Sequence, residues 1–180
     1  MGGTKIAAVV LGDDGEVVWE RRVSTPRGDY DGTLNQVAAL VGEGDRAAGR
    51  ICTVGVGIPG AISRATGLVK NANSTWLIDR SFGADLEGRL SRKVRLANDA
   101  NCLAMSEATD GAGAGATIVF GVILGTGVGG GVVVHGKLVE GANSICGEWG
   151  HNPLPWPEPS ESPGELCYCG RRGCIETWLS

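Results

Sequence analysis

Residues 4–12, Thr-Lys-Ile-Ala-Ala-Val-Val-Leu-Gly, and residues 16–24, Glu-Val-Val-Trp-Glu-Arg-Arg-Val-Ser, are two runs rich in β-forming side chains. Between them stands Asp13-Asp14-Gly15, a strong signal for the tight turn of a β-hairpin. This stretch predicts that the chain opens with an antiparallel pair of strands.

Helical and strand patterns alternate along the rest of the chain. Between residues 32 and 48, apolar side chains recur at helical spacing on one face. The predicted helices cover residues 32–48, 83–92 and 98–109, and the predicted strands cover residues 53–58, 94–97, 117–124 and 128–135. Strand pairs mixed with helices indicate an α/β sheet with antiparallel edges. Residues 152–166 contain five of the seven prolines and are predicted to form an exposed excursion.

Composition restricts the possible partners. The chain is 42% hydrophobic and 20% charged, with a formal net charge of −4, which argues against nucleic acid. No apolar run reaches the roughly 18 residues of a membrane span, and the start does not resemble a signal peptide. Cys52, Cys102 and Cys146 stand in apolar contexts and are predicted to be reduced core residues, as suits a cytoplasmic protein.

Two glycine-rich turns are candidate phosphate sites. Gly2-Gly3-Thr4-Lys5 precedes the first strand, and Gly125-Thr126-Gly127 joins the last two predicted strands. Backbone N–H groups without side-chain cover can form an anion-binding nest, although ordinary tight turns have the same composition. A dinucleotide fingerprint is formally present from Gly125 to Gly130, but a strand rather than a helix follows it, which disfavours a Rossmann site.

Asp99 follows Asn98 at a predicted strand end, directly before a helix. A carboxylate in this position can accept a proton from a hydroxyl group, and the neighbouring amide can hydrogen-bond the same substrate. The alternative is a plain helix cap.

A potential metal site lies near the C-terminal end of the sequence. His151 is followed by Cys167, Cys169 and Cys174, and one imidazole with three thiolates makes a closed tetrahedral zinc site. The alternative is buried or disulfide-linked cysteines, but Cys167 and Cys169 are too close in sequence to pair easily. Gly170 and Gly173 bracket a tight turn that would direct the sulfurs at a shared centre.

Together these motifs resemble the ROK family (repressors, open reading frames and kinases). The resemblance covers the whole chain in family order, and within the family it is closest to the bacterial fructokinase/mannokinase branch. The motifs that carry it are Gly2-Gly3-Thr4-Lys5, Gly57-Ile-Pro-Gly60, Lys70-Asn-Ala-Asn-Ser-Thr-Trp-Leu77, Asn98-Asp99-Ala-Asn101, Gly125-Thr126-Gly127, Glu148-Trp-Gly-His-Asn-Pro-Leu-Pro-Trp156 and Cys167-Tyr-Cys169-Gly-Arg-Arg-Gly-Cys174-Ile-Glu176.

The resemblance implies an α/β fold of the actin-like ATPase (ribonuclease H-like) class. Residues 1–115 would form the N-terminal lobe, and residues 116–180 would begin a second lobe with the phosphate hairpin and the zinc-binding loop. It implies ATP-dependent phosphorylation of a hexose 6-hydroxyl, with fructose as the expected substrate and mannose, glucose or N-acetylglucosamine as alternatives. Magnesium would accompany ATP, zinc would be structural, and the protein would be a cytoplasmic homodimer.

The resemblance also assigns roles to individual residues. Asp99 would be the general base. The sugar would be bound by Gly60, Asn98, Glu148, His151 and Glu176. The ATP phosphates would contact Gly2, Gly3, Thr4, Lys5, Gly125, Thr126 and Gly127. The zinc ligands would be His151, Cys167, Cys169 and Cys174.

The sequence departs from the family pattern in two places. The family has an Asp two residues before the first Gly of the Gly-Gly-Thr turn, and this chain begins at Met1. Family kinases also continue beyond the segment that ends here at Ser180, so the chain is expected to be an N-terminal part that is inactive alone. A zinc-stabilised sugar-binding protein without catalysis, such as a ROK-type regulator, is the alternative function.

Overall fold

In the computed structural model, residues 1–125 and 127–180 are described, and they divide into two compact units, Met1–Asp99 and Ala100–Ser180. The boundary predicted between residues 115 and 116 stays a prediction.

The first unit opens with the predicted hairpin. Strand β1 (Lys5–Leu11) pairs antiparallel with β2 (Val17–Ser24), in a register that sets Lys5 opposite Ser24. Helix α1 (Tyr30–Ala48) follows; the Asp29 side chain caps its start, and Gly49, in the left-handed conformation, ends it. The hairpin and the helix predicted for residues 32–48 are therefore confirmed.

Four short strands and one helix complete the first unit. They are β3 (Val54–Ile58), β4 (Ala61–Ile62), β5 (Val69–Lys70), helix α2 (Phe82–Leu90) and β6 (Val94–Asn98). Strand β3 pairs in parallel with β6, from Val54 opposite Val94 to Ile58 opposite Asn98, and β4 pairs antiparallel with β5. The core of the unit consists of apolar side chains from the helices and the strands, among them Ile6, Leu34, Leu40, Ile58, Val69, Leu77, Phe82 and Leu86.

The second unit is built on an antiparallel sheet. Helix α3 (Asp99–Thr109) leads into β7 (Ile118–Leu124), β8 (Val128–Val134) and β9 (Lys137–Leu138), and the sheet order is β7-β8-β9. Gly121 and Gly131 face Ala104 so closely that a Cβ at either glycine would lie less than 3 Å from it. Glycine in the strands therefore lets α3 approach the sheet. A short helix, α4 (Glu176–Leu179), ends the unit.

The segment from 152 to 166 is an exposed excursion, as predicted, and Trp156 within it is 94% exposed. No helix in the described part of the chain is long and apolar enough to cross a membrane.

The prediction that three scattered cysteines belong to the core was wrong for Cys102, which is exposed; Cys52 and Cys146 are half-buried, and all three are reduced, as predicted. Cys102 lies on α3 midway between the buried Ala100 and Ala104. Two residues along a helix is about 200° of rotation, so its side chain points away from the packed face.

An ion pair joins three segments of the first unit. The Arg92 guanidinium donates to both carboxylate oxygens of Asp45, at 2.7 and 3.2 Å, and to the Cys52 carbonyl at 2.9 Å. Both side chains are largely buried, at 17% and 22% exposure. The hydrogen bond from Arg92 is the main cause that lowers the pKa of Asp45 below its ordinary value.

We expect Arg92→Leu to lower the free energy of unfolding by about 2 kcal/mol at pH 7, because it leaves the largely buried Asp45 carboxylate without its cation. A carboxyl with a lowered pKa contributes stability above its unfolded pKa of about 3.9, and the contribution is lost as pH falls through the lower folded value. The difference in free energy of unfolding between wild type and variant should therefore become smaller below about pH 4. Urea denaturation at several pH values measures it. Lys93→Ala is the control, because Lys93 is 94% exposed and pairs with Glu87 at the surface. Equal losses in the two variants would contradict the role of the buried pair.

Candidate functional site

The first group of candidate residues lies at the carboxyl ends of β3 and β6. Because the two strands are parallel, Ile58 and Asn98 end them side by side. The Asn98 side chain donates to the Gly60 carbonyl at 2.9 Å, so the loop after β3 is fixed to the end of β6. Asp99 comes next as the first residue of α3, with an exposed side chain. A carboxylate is favoured at a helix N-terminus, where backbone N–H groups point outward.

Gly60 allows this arrangement through its backbone. Its φ is +80°, and a Cβ there would lie 2.5 Å from the Lys70 carbonyl oxygen and 2.9 Å from Ala72. A side chain at position 60 would therefore collide with the backbone at Lys70 and Ala72. The structure brings together Gly60, Asn98 and Asp99, three of the residues assigned to substrate binding and catalysis.

The Gly2–Lys5 turn also belongs to the first unit. Gly2 N–H donates to the Lys5 carbonyl at 2.9 Å, and the Thr25 hydroxyl donates to the Gly2 carbonyl at 2.7 Å. The Ser74 hydroxyl is fully buried, has no hydrogen-bond partner among the described residues, and lies 3.5 Å from the position a Cβ would take at Gly3. Thr25, which directly follows β2, thus anchors the start of the turn. Thr4 and Lys5, at its other end, are exposed.

The second glycine turn joins β7 to β8 in the second unit. Gly125 N–H donates to the Gly127 carbonyl at 3.0 Å, which closes the turn. Thr126, which the sequence also assigns to phosphate binding, lies outside the described residues. A Cβ at Gly127 would lie 3.3 Å from a carboxylate oxygen of Glu176.

Glu176 connects this turn with the cysteine-rich segment. It is the first residue of α4, is only 9% exposed, and accepts a hydrogen bond from Val128 N–H at 3.0 Å. A buried carboxylate needs hydrogen-bond donors to offset its lost hydration. The Oε2 atom thus has a backbone donor at the start of β8.

The four predicted metal ligands form one cluster. The ligand atoms of His151, Cys167, Cys169 and Cys174 all lie within 4.8 Å of one another. Cys169 Sγ lies 3.6 Å from Cys174 Sγ, and Cys167 Sγ lies 3.5 Å from His151 Nδ1. A disulfide would need about 2.05 Å between sulfurs, whereas a tetrahedral metal at about 2.3 Å from each sulfur sets them about 3.8 Å apart. The spacing therefore favours a metal over a disulfide, and the three cysteines are free.

Backbone turns bring the sulfurs together. Gly170 N–H donates to the Cys167 carbonyl at 2.9 Å, and Cys167 N–H donates to the Arg171 carbonyl at 2.8 Å. Gly170 and Gly173 adopt positive φ angles of 86° and 68°, as expected from the glycines that bracket the turn. Burial, with hydrogen bonds among the thiols, raises the pKa of Cys174 to about 12. A cation among the sulfurs would oppose that effect, because a coordinating thiol is deprotonated.

Tyr168 is a neighbour of the cluster that the sequence analysis missed. Its hydroxyl lies 2.9 Å from His151 Nε2, and the two rings meet edge to face with centroids 5.0 Å apart. A metal ligand histidine commonly uses its second nitrogen in a hydrogen bond that fixes the ring. The position of Tyr168 between two predicted ligand cysteines was the sequence signal that could have identified it.

Glu148, one turn before His151, is half-buried at the start of a 3₁₀ turn (Trp149–His151).

The proposed site residues are therefore divided between the units. The first unit contains Gly2, Gly3, Thr4, Lys5, Gly60, Asn98 and Asp99. The second contains Gly125, Gly127, Glu148, His151, Cys167, Cys169, Cys174 and Glu176.

Known proteins resemble this chain along its whole length. The model of the ROK family matches residues 1–180. An N-acetyl-D-glucosamine kinase of Escherichia coli O127:H6 (strain E2348/69 / EPEC) is 45% identical over 184 residues, which cover 100% of this chain and 61% of that protein. The chain thus spans about six tenths of the length of the curated relatives it matches.

Two solved structures show the same fold. A ROK hexokinase from Thermus thermophilus superposes with a TM-score of 0.79 at 34% identity, covering 98% of this chain and 57% of the other. A ROK family glucokinase from Streptomyces griseus, in complex with glucose and AMPPNP, gives a TM-score of 0.85 at 32% identity, covering 99% and 55%. The α/β class and the actin-like ATPase fold, of which this chain forms the N-terminal part, are confirmed. The chain belongs to the ROK family.

Proposed function

We propose that this chain is the part of an ATP-dependent hexose kinase that contains the general base and most of the sugar-binding groups. The observation that carries the proposal is the position of Asp99, exposed at the N-terminus of α3 and directly after Asn98, whose side chain is fixed to Gly60. The similarity to a glucokinase with bound glucose and AMPPNP supports the same reaction class.

In this proposal Asp99 accepts the proton of the sugar 6-hydroxyl as the oxygen attacks the γ-phosphorus of ATP. Asn98, Gly60, Glu148, His151 and Glu176 hold the other hydroxyl groups. Phosphoryl transfer needs little covalent chemistry from the protein, so positioning and charge neutralisation account for most of the catalysis. The Gly2–Lys5 and Gly125–Gly127 turns supply backbone N–H groups to the phosphates, and magnesium accompanies ATP.

Zinc is the metal that we assign to His151, Cys167, Cys169 and Cys174. Four nitrogen and sulfur ligands close its coordination, so its role is to cross-link the loop that carries His151 and leads to Glu176. With a metal on Nδ1, the Nε2 atom of His151 carries a proton that it can donate to Tyr168 or to a substrate hydroxyl.

Two observations favour two different hexoses as the substrate. The segments Lys70–Leu77 and 148–156 favour fructose by their resemblance to the fructokinase/mannokinase branch. The 45% identity with an N-acetyl-D-glucosamine kinase supports N-acetylglucosamine. Homodimer assembly and a cytoplasmic location remain predictions from the family resemblance.

A panel of sugars tests the function. We expect ADP formation from Mg-ATP to depend on fructose or N-acetylglucosamine in the full-length protein encoded by its gene. The 180-residue chain alone should be inactive while it still changes tryptophan fluorescence on adding the sugar. If neither form turns over any of fructose, mannose, glucose and N-acetylglucosamine, the kinase proposal is wrong, and sugar binding alone would indicate a non-catalytic protein.

Asp99→Asn in the full-length protein should reduce kcat by roughly 100-fold or more, because the amide cannot accept the hydroxyl proton. The dissociation constant for sugar should change little, since the amide keeps a similar shape and still forms hydrogen bonds. Steady-state kinetics and tryptophan titration measure the two effects. Asp110→Asn is the matched control, because Asp110 is an exposed carboxylate just beyond the other end of α3. A kcat that survives in the Asp99 variant would contradict the assignment.

Cys169→Ser should release the bound zinc and lower Tm by about 5 °C or more, because the ligand loop then lacks its cross-link. Elemental analysis and thermal unfolding test this. Cys102→Ser is the control, an exposed cysteine outside the cluster. Unaltered zinc content and Tm in the Cys169 variant would show that the cluster is not a zinc site.

A further inference from the structure

His151 has two ring nitrogens, and a neighbouring side chain faces each of them. Nδ1 lies 3.5 Å from Cys167 Sγ, on the side of the proposed zinc ligands. Nε2 lies 2.9 Å from the Tyr168 hydroxyl oxygen, and the two rings meet edge to face with centroids 5.0 Å apart. Nε2 is also the nitrogen that the proposed function gives to a sugar hydroxyl. Tyr168 and the sugar therefore need the same atom.

This nitrogen has one hydrogen bond to give. A neutral imidazole has one N–H donor and one acceptor nitrogen, so with a metal on Nδ1 the single proton is on Nε2. A strong hydrogen bond is close to linear at the hydrogen, which leaves room for one good acceptor on one N–H. The Tyr168 oxygen already accepts it at 2.9 Å. A sugar hydroxyl can take this position only after the Tyr168 oxygen has left it.

The Tyr168 hydroxyl has the chemistry of a sugar hydroxyl, because each has one proton to donate and lone pairs that accept. Partial burial and then the negative charges of Glu176 and Glu148 raise the pKa of Tyr168 to about 12. These two carboxylates are the ones assigned to sugar binding in the second unit. The Tyr168 hydroxyl thus interacts with three of the assigned sugar-binding groups, through a hydrogen bond to His151 and through the charges of both carboxylates.

The backbone at Tyr168 is held in place, whereas its side chain has room to turn. Cys167 N–H donates to the Arg171 carbonyl at 2.8 Å, and Gly170 N–H donates to the Cys167 carbonyl at 2.9 Å, so residue 168 lies within a closed turn. Tyr168 itself is 66% exposed. A rotation of about 120° about χ1 takes a side chain from one staggered rotamer to the next. Such a rotation would move the hydroxyl away from His151 without a change in the turn.

We propose that Tyr168 is a placeholder in the sugar site: its hydroxyl holds His151 Nε2 in the sugar-free protein and is displaced when the sugar binds. The inference rests on the proposed role of His151 in sugar binding. Without sugar, the hydrogen bond from His151 to Tyr168 keeps the imidazole ring oriented. When sugar binds, one hydrogen bond is exchanged for another, so the net gain is smaller. Tyr168 therefore lowers the sugar affinity by stabilising the sugar-free state.

Tyr168→Phe in the full-length protein tests the proposal, because it keeps the ring and removes only the hydroxyl. We expect the Kd for N-acetylglucosamine or fructose, whichever the wild type binds more tightly, to fall by about fivefold, the effect of one typical net hydrogen bond. KM should fall by a similar factor at unchanged kcat, since Tyr168 is displaced both in the sugar complex and in the transition state. Calorimetry and steady-state kinetics measure these effects. Elemental analysis should show an unaltered zinc content.

Tyr30→Phe is the matched control, because it removes a hydroxyl that donates to Asp85 in the first unit. Its sugar Kd should equal that of the wild type. An equal Kd in Tyr168→Phe and wild type would overturn the inference alone. A higher Kd would also overturn it, since Tyr168 would then hold the sugar or orient His151 for it. A wild type that binds none of fructose, mannose, glucose and N-acetylglucosamine would overturn the proposed function, and the inference with it.

Displacement of Tyr168 is also measurable in the wild-type protein. With ring-fluorinated tyrosine incorporated, the fluorine NMR signal of Tyr168 is the one that is missing from the spectrum of Tyr168→Phe. On saturation with the sugar we expect this signal to move toward its position in the urea-unfolded protein, where the ring is fully solvated. A signal that stays in place, or moves in the other direction, would show that Tyr168 is not displaced and would overturn the proposal.

Discussion

The parallel pairing of β3 with β6 is the constraint on which the candidate catalytic group depends. Parallel strands end at the same edge of a sheet, so the loop after β3 and the helix after β6 start side by side. The hydrogen bond from Asn98 to Gly60 then fixes one to the other. A register slip of one residue would turn Asn98 to the opposite face and separate the amide from the loop.

In the second unit a buried carboxylate has the corresponding role. Glu176 accepts from Val128 N–H at the glycine turn and lies two residues beyond Cys174. A charge that is 9% exposed requires such a donor, so the turn and the cysteine-rich loop constrain each other. Glu176, a predicted sugar ligand, therefore links the Gly125–Gly127 turn to the segment that contains the His/Cys cluster.

Much of the local structure followed from sequence patterns. The Asp13-Asp14-Gly15 hairpin, the amphipathic helix α1 and the step from β6 into α3 agree with the structure because each has a short-range cause: a turn, a cap or a periodicity. The burial of Cys102 was mispredicted, since an apolar neighbourhood in sequence does not specify which face of α3 packs on the sheet. The contact of Tyr168 with His151 was missed for a related reason, because it depends on the turn that brings residues 151 and 168 together.

The sequence by itself determined the family and the types of residue on which the proposed kinase function rests, because motifs such as Asn98-Asp99 and Cys167-Tyr168-Cys169 are contiguous. It also predicted four candidate metal ligands, His151, Cys167, Cys169 and Cys174, from the spacing and chemistry of their side chains. Only the tertiary structure decided which of these groups are in contact: Asn98 with Gly60, Glu176 with Val128, and the four ligand atoms within one cluster. Such contacts join residues that are distant in the chain, and packing and backbone hydrogen bonding, rather than local propensity, select them.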